Sequence, residues 1–375
     1  MSINIVSVKS KKDLNQFIKF PWLIYKGDPN WVPPLISEIK NLLNPKKHPF
    51  HEHAEVELFL AKRDGGVVGR IAAIVNDNHI KEHNEKAGFF GFFECINDYQ
   101  VAEKLFDTVR DWLKERGMEI MRGPMNFSVN EECGLLVNGF DSPPVVMMTY
   151  NPRYYLELID RYKFVKARNL YAYYMDDKAF PERFGKVIEA IKKRTGVSVR
   201  KIKMKDFDNE VKRVKLIYNA AWSQNWGAIP MTDNEFDKLA KDMKMILDPD
   251  LALIAEIGGK PVGFSLTIPN VNEALIKLNG RLFPFGIFKL LWHFYVKKFH
   301  STRTIIMGVF EEHRHKGIDS IFYYQTFKDG TAKGYWWGEM SWILEDNLPM
   351  VRALEKMGAR IYKTYRIYDY ALTSK

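Results

Sequence analysis

Cysteine is scarce in this sequence, and long apolar runs and blocks of like charge are missing from it. The two cysteines, Cys95 and Cys133, form no C-x-x-C pair and are too few for a disulfide framework. This usage is typical of a reducing compartment, so we expect a cytoplasmic protein. No stretch reaches the roughly 20 uninterrupted apolar residues that cross a bilayer. The N-terminus also lacks the apolar core of a signal peptide, and we expect no transmembrane segment.

The charge balance favours acidic partners without selecting one of them. The 375 residues carry a net charge of +10, which suits nucleotides, nucleic acid or an anionic membrane. The sequence contains no recognisable motif of a standard nucleic-acid-binding module, and we expect no DNA partner. Hydrophobic residues make up 46% of the chain and aromatic residues 14%, which indicates a folded protein. Its length is sufficient for two or three domains.

A β-hairpin pattern occurs twice. Two β-rich runs, Val56–Arg63 and Val67–Val75, are joined by a D-G-G turn. Residues 61–76 align without a gap with residues 255–270, at a constant offset of 194 residues. Further matches follow in the same order, including G-F-F-E at 91–94 and G-V-F-E at 308–311. The sequence therefore predicts a duplicated unit, with domains at 1–177 and 178–375.

Each half reads strand, helices, hairpin, strand, helix, strand, helix, strand. This order predicts an α/β fold in which each half is a mixed sheet flanked by helices. The halves differ in their insertions. Met121–Pro144 is a polar loop rich in Gly, Pro and Asn, which favours a functional role.

The second insertion, Arg281–Arg303, is basic and aromatic and contains no Asp or Glu. If it is helical, Lys289, His293 and Lys297 share one polar stripe. One interpretation is a core helix with one edge in water. The alternatives are a lid over an apolar ligand, or a helix on a membrane surface.

The stretch Thr304–Gly334 combines an apolar strand, a charged loop and a helix that ends near Gly334. Its loop contains Arg314 and Gly317. Backbone N–H groups and the helix dipole converge at such a loop, and this arrangement favours an anion such as a phosphate. Glycine allows close backbone approach and arginine adds a fixed positive charge.

In this order of elements the chain resembles the GNAT superfamily of acyl-CoA N-acyltransferases, as two units in tandem. The family's pyrophosphate loop reads R/Q-x-x-G-x-G/A, and R-H-K-G-I-D at 314–319 matches it at Arg314 and Gly317. A second family pattern is an Asn after the fifth strand, followed by a helix that ends L-Y-E-K-x-G-F. The segment 347–359 matches it at four positions: Asn347, Glu355, Lys356 and Gly358.

The resemblance implies acetyl-CoA or another acyl-CoA as cosubstrate, bound by the second half, and an amine of a small molecule or peptide as acceptor. In the first half the corresponding segment, Cys95–Gln100, has neither Arg nor Gly, so we expect no cofactor there. The acceptor is expected between the halves. The implied cosubstrate-binding residues are Val309, Phe310, Arg314, His315, Lys316, Gly317, Ile318, Asp319 and Asn347.

Amine acylation needs a base for the amine proton and an acid or donor for the thiolate. Among Glu311, Glu339 and Glu345, we rank Glu345 first as the base, because it follows the predicted fifth strand; the alternative is a surface or capping carboxylate. For the acid we choose Tyr365, while strand packing is the alternative for it and for its neighbours Tyr362 and Tyr368. No metal site is predicted, although His48, His51 and His53 form either a metal-binding cluster or a solvated loop.

Three positions depart from the family pattern. Asp319 stands where the family has a small residue, and as an N-cap carboxylate it would compete with a diphosphate. Leu354 replaces the tyrosine that often acts as general acid, and Ala359 replaces the final Phe. These departures leave a non-catalytic GNAT-like binding module open. A Fem-like transferase that uses aminoacyl-tRNA is a further alternative, and it would bind RNA in a strongly salt-dependent way.

Overall fold

The computed structural model describes residues 2–178, 183–222 and 225–373. The described strands are β1 (Asn4–Ser7), β2 (Ala54–Arg63), β3 (Gly66–Asn76), β4 (Ala87–Cys95), β5 (Ile120–Gly123), β6 (Met125–Asn126), β7 (Glu132–Cys133), β8 (Leu135–Asn138), β9 (Val165–Asp176), β10 (Val197–Lys201), β11 (Ala252–Ile257), β12 (Lys260–Pro269), β13 (Ser301–Val309), β14 (Trp337–Leu344) and β15 (Arg360–Ala371).

The described helices alternate with these strands. They are α1 (Lys11–Lys19), α2 (Pro21–Ile24), α3 (Ile36–Leu42), α4 (Asp77–His83), α5 (Tyr99–Glu115), α6 (Tyr155–Arg161), α7 (Arg183–Thr195), α8 (Phe207–Trp222), α9 (Asp233–Lys244), α10 (Asn272–Leu275), α11 (Gly286–Trp292), α12 (Ile318–Ala332) and α13 (Leu348–Lys356). None of the helices in this part of the chain is long and apolar enough to span a bilayer.

The chain forms two compact units, and unit 1 takes in the described residues within 1–170, 274–290 and 363–375. Its strands follow the order β1-β2-β3-β4-β5-β15, and β8 also pairs with β15. The pairs from β1 to β4 are antiparallel, whereas β4 and β5 run parallel. The apolar side of α5 packs on this sheet, where Leu105, Phe106 and Val109 are fully buried beside Phe90.

Unit 2 takes in the described residues within 171–273 and 291–362. Its order is β10-β11-β12-β13-β14-β9, again with antiparallel pairs up to β13 and a parallel pair between β13 and β14. Successive strand residues point to opposite faces. Leu253 therefore packs with α7 and α12, while Ile254 packs with α8 and α9. The predicted α/β fold with mixed sheets flanked by helices is confirmed.

Candidate functional site

The candidate site lies at the carboxyl ends of β13 and β14 in unit 2. A β-bulge interrupts β13 between the pairs Thr267–Thr304 and Leu266–Ile306. The parallel ladder joins Ser301–Thr304 to Trp337–Met340, while the strands themselves continue to Val309 and Leu344. Within the described chain, the backbone of β13 beyond Thr304 is therefore not paired with β14, and the edge of β13 that faces β14 is free there. An extended ligand arm that carries amide groups fits such an edge.

The loop after β13 presents a run of free backbone donors. His315 and Gly317 both have left-handed backbone, with φ of 64° and 79°, and Gly317 is the N-cap residue of α12. No side chain caps this helix. Within the described residues, the amide N–H groups of 315–320 donate to no carbonyl and no side chain. Several N–H groups that converge at a helix N-terminus form an anion-binding site.

The side chains of the loop add positive charge to this site. Arg314 is half-buried, and its Nη2 donates to the carbonyl of Ala221 in α8 at 3.1 Å. The Lys316 ammonium lies 2.9 Å from His313 Nδ1. His315 is exposed, whereas the Ile318 side chain is buried in the core and offers only its backbone N–H.

The structure corrects the interpretation of Asp319 as a capping carboxylate. The N-cap is Gly317, and Asp319 lies two residues further along, in the first turn of α12. Its charge acts on Tyr323: burial first, and then the negative charge of Asp319, raise the pKa of the Tyr323 hydroxyl. The first N–H groups of the helix are therefore not covered by the Asp319 carboxylate.

In unit 1 the equivalent helix start is occupied by the protein's own carboxylate. Asp98 is the N-cap of α5, and its side chain accepts from the Gln100 N–H at 2.9 Å. Arg63 holds the same carboxylate at 2.7 Å and, through this hydrogen bond above all, lowers the pKa of Asp98. An anion at this helix start would meet a fixed negative charge.

In unit 1 the edge of β4 that corresponds to the free edge of β13 is covered by the chain itself. A Cβ added to Gly91 would lie 1.8 Å from the carbonyl oxygen of Met125, so backbone approaches backbone there. The Phe92 N–H donates to Asn126 Oδ1 at 2.7 Å. Residues 125–126 of the predicted functional loop 121–144 therefore pack directly against the backbone of β4.

Glu345 is half-buried in the turn that follows β14. Because β13 and β14 are parallel, this turn lies at the same sheet edge as Phe310 and the loop after it. Glu311, the next residue of that loop, is exposed. Asn347 is the N-cap of α13 and accepts from the Met350 N–H at 3.4 Å, so its side chain serves the helix.

The other predicted proton donors and acceptors are buried or engaged. Tyr365 has no exposed surface and lies in the part of β15 that belongs to unit 1, opposite Leu136. This burial argues against proton transfer from Tyr365 to a bound substrate. Burial likewise raises the pKa of Tyr368. Leu354 is fully buried against Tyr173 and Tyr323, where it serves the core.

Glu339 lies at the centre of a buried polar network in unit 2. The Glu339 carboxylate has no exposed surface and accepts from the hydroxyls of Ser341 and Tyr362. Arg303, which is also buried, donates to Ser341 Oγ at 2.9 Å and lies 3.8 Å from Glu339. With three partners and no exposed surface, the Glu339 carboxylate is not presented to a substrate amine in this structure.

We expect Glu339→Gln to destabilise the protein by about 2 kcal/mol, because it removes a negative charge that lies 3.8 Å from the buried Arg303. Chemical unfolding measures this loss, and kcat per folded molecule should stay unchanged. Glu189→Gln is the matched control, since Glu189 is an exposed carboxylate that pairs, among the described residues, with Lys192 of its own helix. A kcat that falls about 100-fold at wild-type stability would instead identify Glu339 as the base.

Side chains of α8, α9, β11, β12 and β13 line an apolar cavity in unit 2. It is partly open to solvent, and apolar side chains make up almost all of its lining. One wall is Ile306 of β13, beside the free edge described above. The buried hydroxyl of Ser265 finds no hydrogen-bond partner among the described residues. Sequence periodicity did not predict this cavity, because the side chains that line it look like ordinary core residues.

The three histidines near residue 50 pack as aromatic groups. His51 Nε2 lies 3.1 Å from the Leu42 carbonyl, and His53 Nδ1 lies 3.1 Å from Asn76 Oδ1. Phe50 stacks on Phe127 with ring centroids 4.7 Å apart, and the histidines surround this pair. Among the described residues, no group of three His, Cys, Asp or Glu side chains is arranged to hold a metal ion.

Two curated proteins are similar to the whole chain. The bacterial ceramide synthase of Caulobacter vibrioides (strain NA1000 / CB15N) is 38% identical over 381 residues, which cover 99% of this chain and 98% of the relative. Protein YghO of Escherichia coli (strain K12) is 36% identical over 366 residues, which cover 96% of this chain and 93% of the relative. No protein-family model matches the chain.

Solved structures with the same fold extend over the full length. A tandem GNAT protein from the clavulanic acid biosynthesis pathway superposes with a TM-score of 0.59 at 10% identity, covering 100% of both chains. A GCN5-related N-acetyltransferase from Sphaerobacter thermophilus gives a TM-score of 0.54 at 11% identity, covering 99% of this chain and 96% of that one. At such low identity these likenesses show the fold alone.

Proposed function

Because the chain belongs to the family of the bacterial ceramide synthase and protein YghO and has the fold of the GNAT proteins, we propose that it is an acyl-CoA-dependent N-acyltransferase. The observation that carries this proposal is the uncapped start of α12, where the N–H groups of 315–320 are free. A diphosphate accepts from several such donors at once, and Arg314 and Lys316 supply charge beside them. The acyl-CoA is a substrate, with its pantetheine arm along the free edge of β13.

In the proposed reaction the acceptor amine attacks the thioester carbonyl carbon. The C–S bond breaks, the C–N bond of the amide forms, and CoA leaves as a thiolate. We assign Glu345 as the group that takes the proton of the amine, directly or through one water. Leu354 provides no proton, and the sulfur leaves as a thiolate without one, because a thiolate is a much weaker base than an alkoxide.

We further propose that both substrates are lipids. The Caulobacter relative is named a ceramide synthase, and a ceramide is an amide of a fatty acid and a long-chain amino alcohol. We place the acyl chain in the apolar cavity that Ile306 walls, where each CH₂ that is buried would contribute about 0.8 kcal/mol. The proposed acceptor is therefore the amine of a long-chain amino alcohol, and the proposed donor is a long-chain acyl-CoA.

Filling this cavity is expected to change the preference for acyl length. Ala240 lies in its wall on α9, and Ala240→Phe should lower kcat/KM for a long acyl-CoA about tenfold, while acetyl-CoA is unaffected. Ala332→Phe, on the exposed last turn of α12, is the matched control. Equal losses for both chain lengths, or no loss at all, would show that the acyl chain lies elsewhere.

The proposed function is tested with purified full-length protein, acyl-CoAs from two to eighteen carbons, and a long-chain amino alcohol. Thiol release and the mass of the amide are measured together. We expect amide formation that rises with acyl length. If CoA binds but no amide forms with any donor, the chain is a binding module; transfer from aminoacyl-tRNA without CoA would place it with the Fem-like enzymes.

A further inference from the structure

An exposed apolar face occupies residues 283–296. Seven of the fifteen exposed large hydrophobic side chains in the described chain lie within this short segment. Phe283, Phe285 and Tyr295 are 76%, 73% and 79% exposed. Soluble proteins rarely expose such a contiguous apolar patch unless it contacts a partner. The seven side chains are Phe283, Phe285, Phe288, Leu291, Trp292, Tyr295 and Val296.

The exposed face belongs to a folded helical segment. It begins just before α11, and a single π-helical turn, His293–Lys297, follows. Phe285, Phe288 and Trp292 recur at helical spacing on one side, while His293 and Phe299 are buried on the other. The His293 and Phe299 rings stack with centroids 6.1 Å apart and anchor the segment. The predicted polar stripe is therefore wrong at His293, and a core helix does not describe this segment.

The charged side chains within residues 281–303 all have one sign. Arg281, Lys289, Lys297 and Lys298 are exposed, and no acidic residue occurs from 281 to 303. A second copy of the chain would bring these cations against one another, which opposes self-association. A surface of anionic headgroups above an apolar interior complements both features. Aromatic side chains sit at the headgroup level, and lysine side chains extend from there to the phosphates.

We propose that residues 281–298 form a docking face that enters the interfacial region of an anionic lipid bilayer without crossing it. The aromatic side chains lie at the boundary between the headgroups and the acyl chains, and the four cations contact headgroup phosphates. This attachment does not depend on the proposed reaction, although it would hold the protein where lipid substrates reside.

Flotation of the full chain with vesicles tests the docking face. One set is phosphatidylcholine alone, and the other is equal parts phosphatidylcholine and phosphatidylglycerol. We expect binding to the second set, weakened by salt, and little binding to the first. The double variant Phe288→Ser/Trp292→Ser should bind at least 30-fold more weakly. Leu216→Ser/Met245→Ser, which alters two other exposed apolar side chains, should bind like wild type.

A charge-reversal variant measures the electrostatic contribution to vesicle binding separately from the apolar one. Lys289→Glu/Lys297→Glu should lose about 30-fold in binding to the anionic vesicles, whereas Lys104→Glu/Lys114→Glu on α5 should lose little. Far-UV circular dichroism and thermal unfolding confirm that each variant is folded. The proposal is overturned if wild type stays in the aqueous fraction at low salt, or if the serine pair binds like wild type. Self-association abolished by that pair, with no vesicle binding, would instead assign the face to a second copy.

Discussion

Gly317→Asp is expected to weaken CoA binding about 1000-fold. The substitution places a carboxylate at the N-cap of α12, which is the arrangement that Asp98 provides in unit 1. Two like charges about 4 Å apart repel by about 4 kcal/mol near a protein surface, which corresponds to three powers of ten in Kd. Calorimetric titration with CoA measures the change.

Gly317→Asn is the matched control for this change. Asparagine has the same shape as aspartate and would adopt the same left-handed backbone conformation, with φ of 79°, but it carries no charge. Asparagine tolerates this conformation better than most residues, so we expect a loss of about tenfold or less. If Asn and Asp weaken binding equally, backbone strain rather than charge governs the loop. If neither changes Kd, the diphosphate does not bind at the start of α12.

Glu345→Gln is expected to lower kcat about 1000-fold with little change in KM for the acyl-CoA. The side chain keeps its shape but no longer accepts the amine proton, and general-base catalysis typically contributes 10²–10⁴-fold. Steady-state rates with a long-chain acyl-CoA and an amino alcohol measure this. The remaining activity should recover at high pH, where the amine is already deprotonated.

Glu311→Gln serves as the control for Glu345. Glu311 lies at the same sheet edge, but its side chain is exposed to solvent. We expect its loss to change kcat less than about threefold. If the two variants behave alike, or if Glu311→Gln is the slower enzyme, the assignment of the base to Glu345 is wrong.

Periodicity and turn chemistry predicted the elements that position the site. The D-G-G turn and its flanking β-rich runs correspond to β2 and β3, and the repeat at an offset of 194 residues corresponds to β11 and β12. The helix predicted to stop near Gly334 ends at Ala332, and Gly334 has φ of 92°. Turns, strands and helix ends depend mainly on residues that are neighbours in sequence, which is why the sequence alone predicted them.

Predictions that depended on long-range packing were less successful. Alternating tyrosines in the last strand did not reveal that Tyr365 is fully buried, because only the neighbouring strands decide which side is enclosed. For Arg303 and Glu339, the presence of a charged residue within an apolar strand pattern was a usable signal of a buried polar network. The fourth and sixth positions of the loop were harder to interpret, because Asp319 reads as a capping residue until the backbone shows that Gly317 is the N-cap.

The most direct test is hydrogen–deuterium exchange of the loop with and without CoA. The amides of 315–320 are free in the described structure and are expected to exchange rapidly. CoA should protect a peptide that covers them, while a peptide over the start of α5, where Asp98 caps the helix, should not change. Protection at α5, or none at 315–320 under saturating CoA, would contradict the assignment of the diphosphate site to unit 2.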